Sequence, residues 1–125
     1  MQVGERLTLA IEDLAYGGDG VARSGSGRVV FVPFTVPGDV AEVELVQVQA
    51  RFARARLLAL STPAPGRRPA TCAYYGRCGG CCYQHLEYPQ QLAWKQRQLR
   101  DVLQRLGGFP TVPDPAVVIP APDPF

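Results

Sequence analysis

Val40-Ala41-Glu42-Val43-Glu44-Leu45-Val46-Gln47-Val48 places Ala41, Val43 and Leu45 on one side and Glu42 and Glu44 on the other. A period of two is the mark of a strand with one buried and one wet face. The next run, about 51–60, repeats it, with Arg54 and Arg56 opposite Ala53, Ala55 and Leu57. Upstream, Leu7, Leu9 and Ile11 alternate with Thr8, Ala10 and Glu12, and Gly17-Gly18-Asp19-Gly20 breaks the chain before Val21-Ala22-Arg23. Ser24-Gly25-Ser26-Gly27 reads as a hairpin connection into the β-branched, aromatic run Arg28-Val29-Val30-Phe31-Val32. Pro33 and Val36-Pro37-Gly38-Asp39 form the next turn. Five short strands with no helix to cover either face predict a small OB-like barrel, because closure removes exposed sheet edges. A five-stranded open sheet capped by a later helix is the alternative.

Thr62-Pro63-Ala64-Pro65-Gly66 is a stiff linker into a segment without periodicity that holds all four cysteines. A helix is expected at about 89–106, with Pro89 in its first turn, Gly107-Gly108 at its end, and Leu92, Leu99, Val102, Leu103 and Leu106 on one stripe. The six prolines from Pro110 to Pro124 preclude further helix. The expected class is mainly β with one C-terminal helix. The expected division is a barrel over 1–62, a cysteine-rich segment over 63–87, a helix over 88–108, and a proline-rich exit over 109–125.

With 125 residues, 46% apolar and 19% charged, the composition suits a globular domain with an appendage. No apolar run approaches the ~20 residues that span a bilayer, and the N-terminus lacks a signal-peptide pattern, so a cytoplasmic location is expected. The net charge of +2 is unevenly spread. Residues 1–50 carry three arginines against seven carboxylates, and residues 51–105 carry nine arginines and one lysine against two carboxylates. A basic second half favours a phosphate-bearing partner, because guanidinium forks match phosphate oxygens.

Cys72 and Cys78-Gly79-Gly80-Cys81-Cys82-Tyr83-Gln84-His85 bring four thiols and the single histidine together. Thiols so clustered in an intracellular protein serve metal or redox chemistry more often than structural disulfides. The paired glycines allow a tight loop whose amides can face sulfur. Two metals compete on spacing alone. An iron–sulfur cluster would take Cys72, Cys78 and Cys81 plus a fourth ligand, and zinc could use the same three plus His85. Cys82 is a poor partner for Cys81 on one ion, since adjacent side chains in extended chain diverge, and it is expected as a small semi-buried thiol. His85, as a lone histidine, also has the plain reading of a hydrogen-bonded structural residue.

Ile11-Glu12-Asp13-Leu14, Gly17-Gly18-Asp19-Gly20-Val21-Ala22-Arg23, Val30-Phe31-Val32-Pro33 and Pro37-Gly38-Asp39 resemble a TRAM domain. The cysteine run through His85-Leu86, the helix with Tyr88, Gln91-Leu92 and Lys95, and the exit Val118-Ile119-Pro120 resemble the region after that domain in bacterial RNA uracil-5-methyltransferases. The resemblance covers nearly the whole chain, in order. It implies an OB-like TRAM barrel that binds ribosomal or transfer RNA, and a [4Fe–4S] cluster whose first three cysteines fall on Cys72, Cys78 and Cys81. It also implies methyl transfer from S-adenosylmethionine to carbon 5 of uracil. The family's fourth cluster ligand, nucleophilic cysteine, base and cofactor loop lie downstream of Phe125. The expectation is therefore an RNA-binding, cluster-bearing fragment that lacks the catalytic domain, is inactive alone, and has no nucleophile in Cys82. A free-standing RNA-binding module and a zinc-stabilised interaction domain are the alternatives.

Arg51, Phe52, Arg54, Arg56, Arg67, Arg68 and Arg77 are the candidate RNA contacts, as phosphate partners and, for Phe52, a stacking surface. Tyr74 and Tyr75 are further stacking candidates, whereas Phe31, inside a strand, is expected in the core. Trp94 is expected either against the missing domain or over the barrel, and Lys95, Arg97 and Arg100 on a solvated helix face.

Overall fold

The structure, a computed structural model, describes residues 2–15, 17–78, 81–110 and 119–122. The glycine pair Gly79-Gly80, Val118 and most of the proline-rich exit lie outside the described residues. Two compact units divide the chain at residues 86 and 87. The cysteine-rich segment thus belongs to the same unit as the strands, and the helix stands in the second.

The first unit holds six strands: β1 Arg6–Ala10, β2 Asp13–Leu14, β3 Gly20–Arg23, β4 Val29–Val32, β5 Val40–Val48 and β6 Phe52–Thr62. They form one sheet in the order β1-β5-β6-β4-β3-β2. Its two edge strands are consecutive in the chain, separated only by Ile11 and Glu12. Arg6–Leu14 is therefore one bent segment whose first half pairs with β5 and whose second half pairs with β3. At the bend the Ile11 amide donates to the Asp39 carbonyl at 2.8 Å and the Glu12 amide to Val21 at 2.9 Å. The sheet must curl for both edges to meet one segment, which gives the OB-like form expected, with six strands in place of five. β4 and β6 pair in parallel, and the other neighbours are antiparallel.

Alternation fills the inside of this curl. Leu9, Ile11, Ala22, Val30, Val32, Ala41, Val43, Leu45, Ala53 and Ala55 form the buried cluster, and Leu7 and Leu57 pack against it. Arg54 and Arg56 face out, as the pattern requires. Gly20 enters β3 because a Cβ there would run into the Thr35 hydroxyl and come within 3.0 Å of Ile11 Cγ2. Phe31 departs from expectation. Val30 and Val32 take the inward positions of β4, so parity turns Phe31 to the outer face.

The second unit contains α1, Tyr88–Arg105, with Pro89 in its first turn. The Leu106 and Gly107 amides close its end on the Val102 carbonyl. Its burial differs from the expected leucine stripe. Gln91 and Gln98 are buried, while Leu99, Val102 and Leu106 are exposed. Arg97 lies over the Trp94 ring at 5.0 Å, and the Ala121 amide donates to the Tyr88 hydroxyl at 2.8 Å.

Candidate nucleic-acid interface and thiol site

The outer face of β6 carries Phe52, Arg54 and Arg56 in alternation. Parallel pairing sets Phe31 beside Arg54 and Val29 beside Phe52. The Phe31 and Phe52 rings meet edge to face with centroids 6.0 Å apart. The Arg54 guanidinium lies over both, 5.5 Å from Phe31 and 5.8 Å from Phe52, a cation–π arrangement. Arg54 also pairs with Asp19 at 3.3 Å, and Arg56 with Glu44 at 2.7 Å. Both arginines stay at least half exposed, so each pair is weak enough to exchange for a phosphate. Arg51 is exposed in the bend that opens β6, and Arg77 is exposed within the cysteine segment. The structure thus brings Phe52, Arg54 and Arg56 to one strand, with Arg51 in the bend before it, and adds Phe31.

Arg67 goes elsewhere. Its Nη2 donates to Asp39 Oδ2 at 2.7 Å and to the Phe34 carbonyl at 2.6 Å. Asp39 is fully buried, and its carboxylate also accepts from the Val36 amide at 2.9 Å and the Ala64 amide at 2.7 Å. Burial pushes the Asp39 carboxyl up. The bonds from Arg67, Val36 and Ala64 and the arginine's charge outweigh it and hold the group below its ordinary value. The Arg67 guanidinium, expected as an RNA contact, is instead the clamp that ties the 33–39 turn to the linker. It also fixes Phe34, whose φ of 65° is otherwise costly for a side-chain-bearing residue. Arg68 comes directly after the clamp, its amide donating to the His85 carbonyl at 3.0 Å. Arg67 and Leu86 form a bridge, so both ends of the cysteine segment are held together.

His85 docks that segment onto the barrel turn. It is buried, with Nε2 3.1 Å from the Thr35 carbonyl and Nδ1 2.6 Å from the Tyr75 hydroxyl. A carbonyl can only accept, so Nε2 carries a proton, and in the neutral ring Nδ1 accepts from Tyr75. Burial, foremost, holds the His85 pKa below its ordinary value, against the bond to Thr35. Tyr75, also 3.1 Å from the Cys82 carbonyl, is pushed up to about 12 by burial and then by negative charge on Cys82. Phe34 meets Tyr75 edge to face at 5.4 Å. Tyr75 is thus a packing residue of this turn, while Tyr74 is exposed.

Cys72, Cys78 and Cys81 line one concavity of about 30 Å³ together with Tyr75, Gly76 and Gln84. Gln84 Oε1 accepts from the Cys72 amide at 3.1 Å and so fixes the entry to the loop. Neither Cys82 nor His85 lines this concavity. All four thiols are free and exposed, so Cys82 is more open than the semi-buried thiol expected. Its backbone is nonetheless closely packed, because a Cβ on Gly18 would lie 2.8 Å from Cys82 Cβ and 2.9 Å from its carbonyl oxygen. Three thiols on one concavity fit a thiophilic metal in donor chemistry. Their spacing does not yet fit, since no three metal-binding side chains among the described residues are gathered closely enough to hold an ion. Both nitrogens of His85 are engaged, so a zinc site that used it would have to break one of those bonds.

Residues 1–58 match the TRAM domain family. The chain is 42% identical over 120 residues to a protein of Gloeobacter violaceus named an uncharacterized RNA methyltransferase, covering 95% of this chain and 26% of that protein. It is 38% identical over 104 residues to the 23S rRNA (uracil(1939)-C(5))-methyltransferase of Shewanella amazonensis, covering 83% of this chain and 23% of that protein. The crystal structure of the Pyrococcus abyssi tRNA (uracil-54, C5)-methyltransferase in complex with S-adenosyl-L-homocysteine superposes with a TM-score of 0.52 at 28% identity. That superposition covers 78% of this chain and 21% of the other. The chain spans about a quarter of the length of the curated relatives it matches, in their N-terminal part.

Proposed function

We propose that this chain, whose residues 1–58 are a TRAM domain and whose homologues are RNA methyltransferases, supplies the RNA grip of an enzyme forming 5-methyluridine. The reaction would use S-adenosylmethionine on ribosomal or transfer RNA in the cytoplasm, with the chemistry in parts of the relatives that this chain does not match. The observation that carries the reading is the outer face of β6, where Phe52, Arg54 and Arg56 stand in one row beside Phe31. Aromatic faces between exchangeable cations suit an irregular, partly single-stranded RNA, whose bases stack while its phosphates pair.

Cys72, Cys78 and Cys81 would hold a [4Fe–4S] cluster, completed by a fourth ligand from outside this chain. Support comes from the concavity these three share and Cys82 does not. Such a cluster supplies a redox-active, thiolate-bound iron centre. The residues here would hold it against the barrel through the Arg67–Asp39 clamp and the His85 bonds to Thr35 and Tyr75.

Fluorescence anisotropy of the purified chain with ribosomal and transfer RNA across a salt series tests the grip. Charge reversal of Arg51, Arg54 and Arg56 is expected to weaken binding by at least about tenfold. It should also reduce the slope of log affinity against log salt by about two. Unchanged affinity, or binding indifferent to salt, contradicts the proposal. For the cluster, anaerobically purified protein should contain iron and labile sulfide with visible charge-transfer absorption. One equivalent of zinc without that absorption contradicts it.

A further inference from the structure

The loop Gly17-Gly18-Asp19-Gly20 performs a task that the RNA grip alone does not assign to it. The Ala15 amide donates to the Asp19 carbonyl at 2.8 Å and the Gly18 amide to the Ala15 carbonyl at 3.0 Å, so the loop is closed on itself. Gly17 and Gly18 have φ of 99° and 102°, a conformation that side chains resist, and this turn carries Asp19 to Arg54, 35 residues away in sequence. Arg54 is in turn stretched over the two phenylalanine rings. The outcome is a covered aromatic pair. Among the described residues the cover is the Arg54 guanidinium, and the catch is the Asp19 carboxylate, which is 29% exposed.

We propose that Phe31 and Phe52 form a base-stacking platform for single-stranded RNA and that Asp19 is its latch, holding Arg54 across the rings until a nucleotide displaces it. A phosphate competes with the Asp19 carboxylate for the same guanidinium, and bidentate phosphate geometry suits arginine well. As Arg54 turns toward the phosphate, a ring face opens to the base attached to it. One nucleotide therefore meets both halves of the site, its charge on Arg54 and its base on the aromatic pair. Duplex RNA offers the phosphate without a free base face, so it engages Arg54 only. The latch also guards the free protein, since uncovered aromatic rings on a barrel face invite nonspecific association.

This inference rests on the RNA grip proposed above, and its test separates the two. Binding of fluorescein-labelled oligouridylate is compared with an abasic strand of the same length, which keeps the phosphates and lacks the bases. The native chain is expected to prefer the base-bearing strand. Phe52→Leu, and independently Phe31→Leu, should lose about fivefold or more in affinity for that strand, with no change for the abasic one. Asp19→Asn should bind about two- to fivefold tighter, the strength of an exposed ion pair. That gain should vanish when Arg54 is replaced by methionine, and should exceed the gain from Glu42→Gln, which removes equal charge elsewhere on the sheet. Far-UV circular dichroism checks that each variant is folded. If both leucine variants bind like the native chain while charge reversal at Arg51, Arg54 and Arg56 abolishes binding, the platform is wrong and the RNA grip stands. If Asp19→Asn gains no more than Glu42→Gln, the latch is wrong. If the native chain binds neither strand, the grip itself fails and the platform falls with it.

Discussion

Asp39→Ala removes the acceptor at the centre of the turn that joins barrel and cysteine segment, and its cost can be worked from the bonds it breaks. The carboxylate accepts from the Val36 and Ala64 amides, at 2.9 and 2.7 Å, and both residues are buried. Each stranded buried donor costs about 1–3 kcal/mol. Arg67 loses its charge partner but keeps the Phe34 carbonyl and is 19% exposed, so its penalty falls below the ~3–5 kcal/mol of a fully buried pair broken on one side. The two donors alone give about 2–6 kcal/mol and the Arg67 penalty adds to it, so the cost is at least about 3 kcal/mol, a large part of the ~5–15 kcal/mol that holds a domain folded. Urea unfolding followed by far-UV circular dichroism reads this directly, because the single tryptophan, Trp94, belongs to α1. A lower midpoint with an unchanged slope is expected. Arg67→Met, which leaves both amide bonds in place, should cost less. The native chain should also lose stability in acid. The folded Asp39 carboxyl titrates below the 3.8 of a free one, so the unfolded chain takes the proton first. The contribution is complete above 3.8 and disappears as pH falls through the folded value. Asp39→Ala within about 1 kcal/mol of the native chain, or with the same acid limb, would refute the clamp.

Three further perturbations probe neighbouring parts of the molecule. Gly18→Ala puts a Cβ 2.8 Å from Cys82 Cβ at a φ of 102°, whereas Gly17→Ala, at 99°, meets nothing within 4 Å. Thermal melts should therefore show a loss of about 2–3 kcal/mol at Gly18 against about 1 kcal/mol at Gly17, and equal losses would deny the contact with Cys82. His85, held below its ordinary 6.5, contributes stability that is present above pH 6.5 and lost as pH falls toward its folded value. A pH series of unfolding midpoints should show that limb in the native chain and not in His85→Gln. Leu45→Ala empties one of the largest fully buried sites of the core and should cost about 2–5 kcal/mol in the same urea assay, while a loss under about 1 kcal/mol would mean that the curl is loosely packed there.

The strands whose faces differ chemically are legible from the sequence. In β5 and β6 the inward residues Ala41, Val43, Leu45, Ala53 and Ala55 are apolar and alternate for the most part with Glu42, Glu44, Arg54 and Arg56, so they declare their side. β4 gives no such sign. Val29-Val30-Phe31-Val32 is apolar throughout, and size preference points Phe31 inward where register points it out. The bend at Ile11-Glu12 is invisible for a related reason, since both halves of the segment carry strand patterning and only their partners differ. Arg67 misleads because its partner, Asp39, lies 28 residues away, and no local pattern separates a clamped arginine from a solvated one. The thiol site puts Cys72, Cys78 and Cys81 on one concavity apart from Cys82, although no three metal-binding side chains among the described residues stand close enough to hold an ion. The site's support from the barrel turn through Thr35 and Phe34 carries no spacing signal. The apolar residues of α1 and its C-cap keep a helical period, yet Leu99, Val102 and Leu106 are exposed, so period alone does not say which stripe is covered.

The most direct test of the RNA grip is to map amide chemical shifts of the chain as a short single-stranded RNA is added. Perturbations are predicted to concentrate on Phe31, Phe52, Arg54, Arg56 and the Asp19 loop, and to fade as salt is raised. Shifts confined to Lys95, Arg97 and Arg100 of α1, with β4 and β6 undisturbed, would contradict it.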